Sequence, residues 1–309
     1  MRVAGIDCGT NSIRLLVADV VDGHLVDVVR EMKIVRLGQG VDRTGRLAPE
    51  AIERTRVALA GYADAIRSLG AARVRMVATS ASRDASNRDD FVGMVRATLG
   101  QDPEVITGDE EARLSFAGAV GAVPGLPGPV LVADIGGGST ELIIGTPDGT
   151  ELCAQSMDIG SVRMTERHLH DDPPTAVQIE ASVADIEGAI GVAERTVPIR
   201  EAAAFVGVAG TVTTVAALAL ELPEYDSSRI HGLRLSAEQV DRVTEVLLSS
   251  SHDRRAALPS LHPGRVDVIG AGALILRTLM RRVGVSEVVV SEHDILDGIT
   301  LSTLAEPGR

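Results

Sequence analysis

One pattern occurs twice in this chain and limits its fold more than any other feature. An apolar run ends on an acid, a turn of glycine and hydroxyl residues follows, and a second apolar run leads away. Residues 130–145, VLVADIGGGSTELIIG, carry the fullest copy. Compared with ADIGGGSTELIIG, the stretch IDCGTNSIRLLVA near the N-terminus repeats the order of acid, turn and strand. Each copy reads as a β-hairpin whose turn faces a ligand. An internal repeat about half a chain apart predicts two related units, each with its own hairpin, facing across one cleft.

The turn chemistry points to an anion. Glycines without Cβ let backbone N–H groups come close to phosphate oxygens. Ser139 and Thr140 add hydroxyl donors. Asp134 and Glu141 only accept hydrogen bonds when ionised, so they do not bind phosphate directly. They make sense there with a divalent cation between them and the phosphate. The plain alternative is a tight glycine hairpin with solvated acids at its mouth.

The rest of the chain alternates strand and helix, which predicts an α/β protein. Residues 3–9 read as a buried strand, 13–19 as its return, and 24–37 as a third strand region. Residues 38–47 are glycine-rich and polar, as a loop is. From Pro49 to Leu69 apolar residues recur at the helical period, with Pro49 suited to the first turn and Gly70 to the C-terminal cap. Residues 74–78 read as strand and open into the polar segment TSASRDASN, whose Asn87 is placed to cap a helix ending at Gly100. A short strand at 105–106 leads to TGDEEARLSFAGAV, a loop entering a helix near Asp109 and Glu110. The run PGLPGP at 124–129 reads as a linker, placing domains at 1–125 and 126–309, with a last helix near 296–305 able to pack back on the first.

Beyond the central hairpin, residues 151–158 read as strand, and 160–170 and 174–196 as helices. A strand at 205–208 runs into GVAGTVTT, a third turn of small and hydroxyl residues before a helix start. Gly210 and Thr211 in that turn are candidates for a second phosphate or a nucleotide; a turn needing small residues for packing explains them equally well. SAEQ at 236–239 matches a capping box. Residues 263–280 read as helix and 285–290 as strand.

Composition excludes several classes. The formal net charge of −13 over 309 residues argues against nucleic-acid binding through a basic surface. No signal pattern or apolar span of about 18 residues is present, so neither export nor a membrane is expected. Cys8 and Cys153 are too few for a disulfide framework, which suits the cytoplasm. Lys33 is the only lysine. With so many arginines, Arg14 and Arg88 read as surface residues first and phosphate contacts second. The histidines lack metal-ligand spacing, and His168 and His170 read as surface. No Ser–His–Asp order or cysteine nucleophile stands out. DCGTNS is not the GxGxxG of a dinucleotide-binding dehydrogenase.

Taken in order, DCGTNSIRLL, ITGDEEARLSF, DIGGGSTELIIG, GVAGTVTT and VSEHDILDGI resemble the exopolyphosphatase and guanosine pentaphosphate phosphohydrolase (Ppx/GppA) family. The resemblance runs from residue 3 to about 304, and the chain is similar to the short, two-domain form found in actinobacteria. It implies the actin, Hsp70 and sugar-kinase fold: two ribonuclease H-like domains with a cleft between them. It also implies a metal-dependent hydrolase with Mg²⁺ or Mn²⁺, acting on the end of inorganic polyphosphate and releasing orthophosphate. Guanosine pentaphosphate is the alternative substrate. By the same resemblance the catalytic carboxylate is the second Glu of GxEEAR, here Glu111, with Glu110 its neighbour. Asp7, Asp134 and Glu141 fall at the metal. Asn11, Ser12, Arg83, Gly136, Gly137, Gly138 and Ser139 fall at terminal-phosphate positions. Many members read LREG where this chain has Leu296, Asp297 and Gly298, so the family's arginine is missing there.

Two further readings come from other classes. A sugar or acid kinase of the same superfamily would need ATP and an acceptor. A binding or sensor protein would keep the hairpins but not the carboxylates. A homodimer is the expected assembly.

Overall fold

Residues 1–148 and 152–304 are described by the structure, a computed structural model. They form two compact units. The first holds Met1–Gly118 and the helix that begins at Ile295; the second holds Ala119–Asp294. The proline-rich run at 124–129 therefore lies within the second unit.

The first unit opens with an antiparallel meander: β1 (Arg2–Cys8), β2 (Ser12–Val21) and β3 (His24–Ile34). A one-turn helix, α1 (Val41–Thr44), precedes α2 (Pro49–Leu69). Pro49 sits in the first turn of α2, and Gly70 closes it in the left-handed conformation, as its sequence predicts. One face of α2 buries Leu59, Tyr62 and Ile66 against the sheet, and the Tyr62 hydroxyl donates to the Ile13 carbonyl at 3.0 Å. The chain returns as β4 (Arg73–Ala78), parallel to β1, then forms α3 (Ser80–Asp84), α4 (Arg88–Leu99), β5 (Glu104–Val105) and α5 (Gly108–Val120). Strand order is β3-β2-β1-β4-β5.

The second unit repeats this plan. β6 (Val130–Ile135), β7 (Thr140–Gly145) and β8 (Leu152–Met157) form the meander; Glu151, where the sequence places the start of the third strand, lies outside the described residues. Then come α6 (Ser161–His168), α7 (Ala176–Ala193), β9 (Ala204–Val208) parallel to β6, and α8 (Ala209–Ala219). They are followed by α9 (Ser227–Ile230), β10 (Arg234–Ser236), α10 (Ala237–Ser249), α11 (His252–Ala256), α12 (Ile269–Val283) and β11 (Glu287–Val290). Read from β8, the order is β8-β7-β6-β9-β11-β10. That matches the first sheet strand for strand, with β10 added at the edge. The duplication seen in the two hairpins thus extends to both sheets. This is the mixed α/β fold that the sequence predicts.

The chain ends its described part in α13 (Ile295–Ser302), back on the first sheet. Here the segment that departs from LREG is explained. Leu296 is buried with Leu16 and Ala18. Asp297 accepts from both terminal nitrogens of Arg30, at 2.5 and 3.2 Å. A Cβ on Gly298 would stand 2.0 Å from the Leu114 carbonyl, so only glycine allows α13 to sit this close. Arg73 and Arg75 add bonds to the Thr303 carbonyl and the Ser302 hydroxyl.

Several local expectations need correction. The stretch 38–47 contains α1, and the polar segment after β4 contains α3. The helix expected from 263 begins at Ile269, preceded by a 3-10 turn at Pro263–Arg265. Asn87 stands at the start of α4, but its side chain makes no cap. Its amide instead accepts from the Leu47 N–H at 2.8 Å and donates to the Leu47 carbonyl. β10 has three residues, too few for any periodicity to show. The capping box at Ser236 and Gln239 is present with both of its bonds.

Candidate active site

In the first unit the hairpin turn is Gly9 to Ser12. It closes by a bond from the Gly9 N–H to the Ser12 carbonyl at 3.0 Å. The carbonyls inside it are occupied from behind. Gly38 donates to the Thr10 carbonyl at 2.8 Å, and Val35 and Arg36 donate to the Asn11 carbonyl at 3.0 and 2.9 Å. In a trans peptide the C=O and the next N–H point opposite ways. The N–H groups of Asn11 and Ser12 therefore face away from the 35–38 segment. The Thr10 hydroxyl is tied to Ser80 at 2.9 Å. What this turn has to offer a ligand is donors.

At the end of β1, Asp7 lies directly opposite Arg14 on β2. Arg14 donates to one Asp7 oxygen from Nε at 2.9 Å and Nη2 at 2.6 Å. Arg14 is thus a partner within the protein rather than the free surface residue its abundance suggested. Cys8, next to it, is buried; burial and then the Asp7 charge raise its pKa, which keeps the thiol protonated. It fills space, as expected.

Glu111 and Arg83 meet. Glu111 sits in the first turn of α5 and is 7% exposed. Arg83 Nη1 donates to Glu111 Oε2 at 3.0 Å and to the Ile106 carbonyl at 3.2 Å. A guanidinium has five N–H donors, so others remain for a phosphate. Glu110 goes elsewhere: it is bonded to Arg75 at 2.7 Å, and Arg75 also holds Glu104. The two neighbouring glutamates are separated by environment, one buried on Arg83 and one in a surface cluster.

The second hairpin repeats the backbone plan of the first, with the aspartate, the first glycine and the serine in the same places. Its turn, Gly136 to Ser139, closes by a bond from the Gly136 N–H to the Ser139 carbonyl, again 3.0 Å. Asp134 on β6 stands directly opposite Glu141 on β7. Residues opposite each other across a sheet point to the same face, and like charges so placed destabilise it. Both acids are buried, at 6% and 1% exposure. Ser156 of β8 donates to Glu141 Oε1 at 2.7 Å. An all-oxygen pair of carboxylates suits a hard divalent cation. Among the described residues no group of three or more His, Cys, Asp or Glu side chains forms a metal cluster. Mg²⁺ is usually held by one or two carboxylates and completes its shell with water and substrate oxygens, so a pair of acids fits it.

Gly210 and Thr211 look less open. Arg265 donates to the Gly210 carbonyl at 3.1 Å and to Thr214 at 2.8 Å. Thr211 is 5% exposed, its side chain packed against Gly272 of α12. The side chain of Thr211 serves helix packing, and any contact from this turn would have to come from its backbone. Arg88 is exposed. His168 is not simply surface: its ring bonds Asp185 at 2.8 Å. An apolar hollow of about 510 Å³ between α8, α10 and Pro259 contains none of the expected site residues. No helix among the described residues is long and apolar enough to cross a membrane.

Comparison with known proteins finds a family match and similar chains. A model of the Ppx/GppA phosphatase family matches residues 16–306. Exopolyphosphatase 2 of Mycobacterium tuberculosis is 51% identical over 314 residues, covering 97% of this chain and 98% of that protein. The crystal structure of an exopolyphosphatase-like protein superposes with a TM-score of 0.94 at 47% identity, covering 97% of each chain. A Ppx/GppA family member from Aquifex aeolicus gives a TM-score of 0.81 at 30% identity, covering 100% of this chain and 99% of that one.

Proposed function

The chain belongs to the Ppx/GppA phosphatase family, whose members are hydrolases, and on that premise we propose that it is an exopolyphosphatase. It cleaves the terminal phosphoanhydride of inorganic polyphosphate. The observation that carries this reading is the buried Glu111 held by Arg83.

Glu111 accepts a proton from the attacking water as the water oxygen bonds to the terminal phosphorus. The bond to the bridging oxygen breaks, and the shortened chain leaves with the electron pair. Orthophosphate is the other product. A placed general base contributes roughly 10²–10⁴ in rate. The first unit offers phosphate oxygens the donors of Arg83, Asn11 and Ser12. The second, taken by itself, offers those of Gly136, Gly137, Gly138 and Ser139. Asp134 and Glu141 would hold Mg²⁺ or Mn²⁺, which neutralises charge on the phosphates when bound. Asp7 contributes through its carboxylate oxygens to the extent that Arg14 leaves them available. Gly210 and Thr211 are at most backbone donors in this reading. The proposed setting is the cytoplasm, and the proposed assembly a homodimer, which sedimentation would check.

Phosphate release measured side by side on long polyphosphate, short polyphosphate and guanosine pentaphosphate tests the substrate. Faster turnover of polyphosphate is expected. Preference for the nucleotide would replace it as substrate, and ADP formation that depends on an acceptor would make the protein a kinase instead.

A further inference from the structure

Three successive carbonyls of the glycine turn are held by one element, the start of α6. Ser161 donates its N–H to the Gly136 carbonyl at 2.9 Å. Val162 and Arg163 donate theirs to the Gly137 carbonyl at 2.8 and 3.1 Å. The Gly138 carbonyl is taken by a side chain, Arg163 Nε, at 2.7 Å. The arginine is largely buried, its side chain 12% exposed. Gly160 makes the approach possible, since a Cβ there would stand 2.4 Å from the Gly137 oxygen.

The consequence follows from peptide geometry. Each carbonyl shares a rigid plane with the N–H of the next residue, and the two point oppositely. Fixing the carbonyls of Gly136, Gly137 and Gly138 toward α6 turns the N–H groups of Gly137, Gly138 and Ser139 the other way. Three consecutive amides facing one side form an anion-binding concavity. Two of the three planes are set by backbone bonds. The third, Gly138–Ser139, is set by Arg163 alone among the bonds described. Glycines do not hold such a plane by themselves, because they rotate freely.

We propose that Arg163 is a positioning residue for phosphate recognition: it never touches substrate but fixes the Ser139 N–H toward the terminal phosphate. The first hairpin supports this by contrast. There the equivalent carbonyl, that of Asn11, is held by two backbone amides, and no arginine is used. Binding of orthophosphate, the product, is expected to depend on Arg163 as much as turnover does. The inference rests on the glycine turn being the seat of the terminal phosphate.

The test compares wild type with R163A and R163K, measuring KM for polyphosphate and Ki for orthophosphate. R163K keeps the aliphatic stem and the charge but lacks the Nε donor, and it carries the test should R163A not fold. R255A is the control, because Arg255 bonds the carbonyls of Ser250 and Val266 elsewhere in the same unit. Both Arg163 variants are expected to raise KM and Ki together, lowering kcat/KM about 10- to 100-fold, the usual range for a supporting residue behind a site. A merely structural role lowers only the fraction of active molecules, as R255A should, and leaves KM and Ki where they were. Unchanged KM and Ki in the Arg163 variants overturn the inference alone. Wild-type protein that releases no phosphate from polyphosphate overturns the reading of the site, and the inference with it.

Discussion

The two hairpins are copies in backbone and opposites in charge. In both, an aspartate stands one residue before the strand's end, a glycine opens the turn, and a serine carbonyl closes it at 3.0 Å. Across the ladder Asp7 meets Arg14, while Asp134 meets Glu141. The first hairpin carries its own cation as a covalent part of the chain. The second sets two buried acids on one face. On the function proposed above, the duplicated scaffold is divided between a hairpin held by its own ion pair and one that offers a place for a metal.

Chelation gives the largest expected effect on this contrast. EDTA should abolish phosphate release, and Mg²⁺ or Mn²⁺ should restore it. Full activity in chelator would mean that the facing acids need no cation, and the contrast would fail. Next, D134N should lower kcat/KM by roughly 10²–10³, as loss of a transition-state charge contact does. Smaller is the effect of R14Q, which is read in stability. It leaves the buried Asp7 without its guanidinium and should cost about 1–3 kcal/mol in urea unfolding. Adding Mg²⁺ should not repair it, while the double variant D7N/R14Q should recover part of the loss. Smallest is R88A, which should stay within about 0.5 kcal/mol of wild type with unchanged kinetics, since Arg88 is an exposed side chain at the start of α4.

Much of this was legible in the sequence because it is written in local patterns. The hairpins show as acid, glycine and hydroxyl order, α2 as a periodic stretch between Pro49 and Gly70, and α10 as a capping box. Glu111 is singled out only by the family resemblance that GxEEAR carries; its local pattern alone reads equally as an acid at a helix start. What lies across the sheet was less legible. Asp7 and Arg14 are seven positions apart, and register, which a sequence does not print, makes them partners. Arg163 gave no signal at all: in a chain whose basic residues are nearly all arginine, one more arginine says little. The role proposed for it depends on a carbonyl in a turn that precedes it by two whole strands, β7 and β8. In the sequence the departure from LREG shows only as a missing family arginine, and the fold gives the residues that stand there a structural meaning. Leu296 belongs to a core and Asp297 to an anchor for α13, both settled by contacts with β2 and β3.

Glu111 is where the account is most exposed, and one comparison addresses it directly. Orthophosphate release from polyphosphate is followed for wild type and E111Q at equal folded concentration, with polyphosphate binding measured on the same samples. The account predicts that E111Q binds polyphosphate as wild type does and turns over roughly 10²–10⁴ more slowly. An E111Q variant that binds normally and keeps a near-wild-type kcat would contradict it.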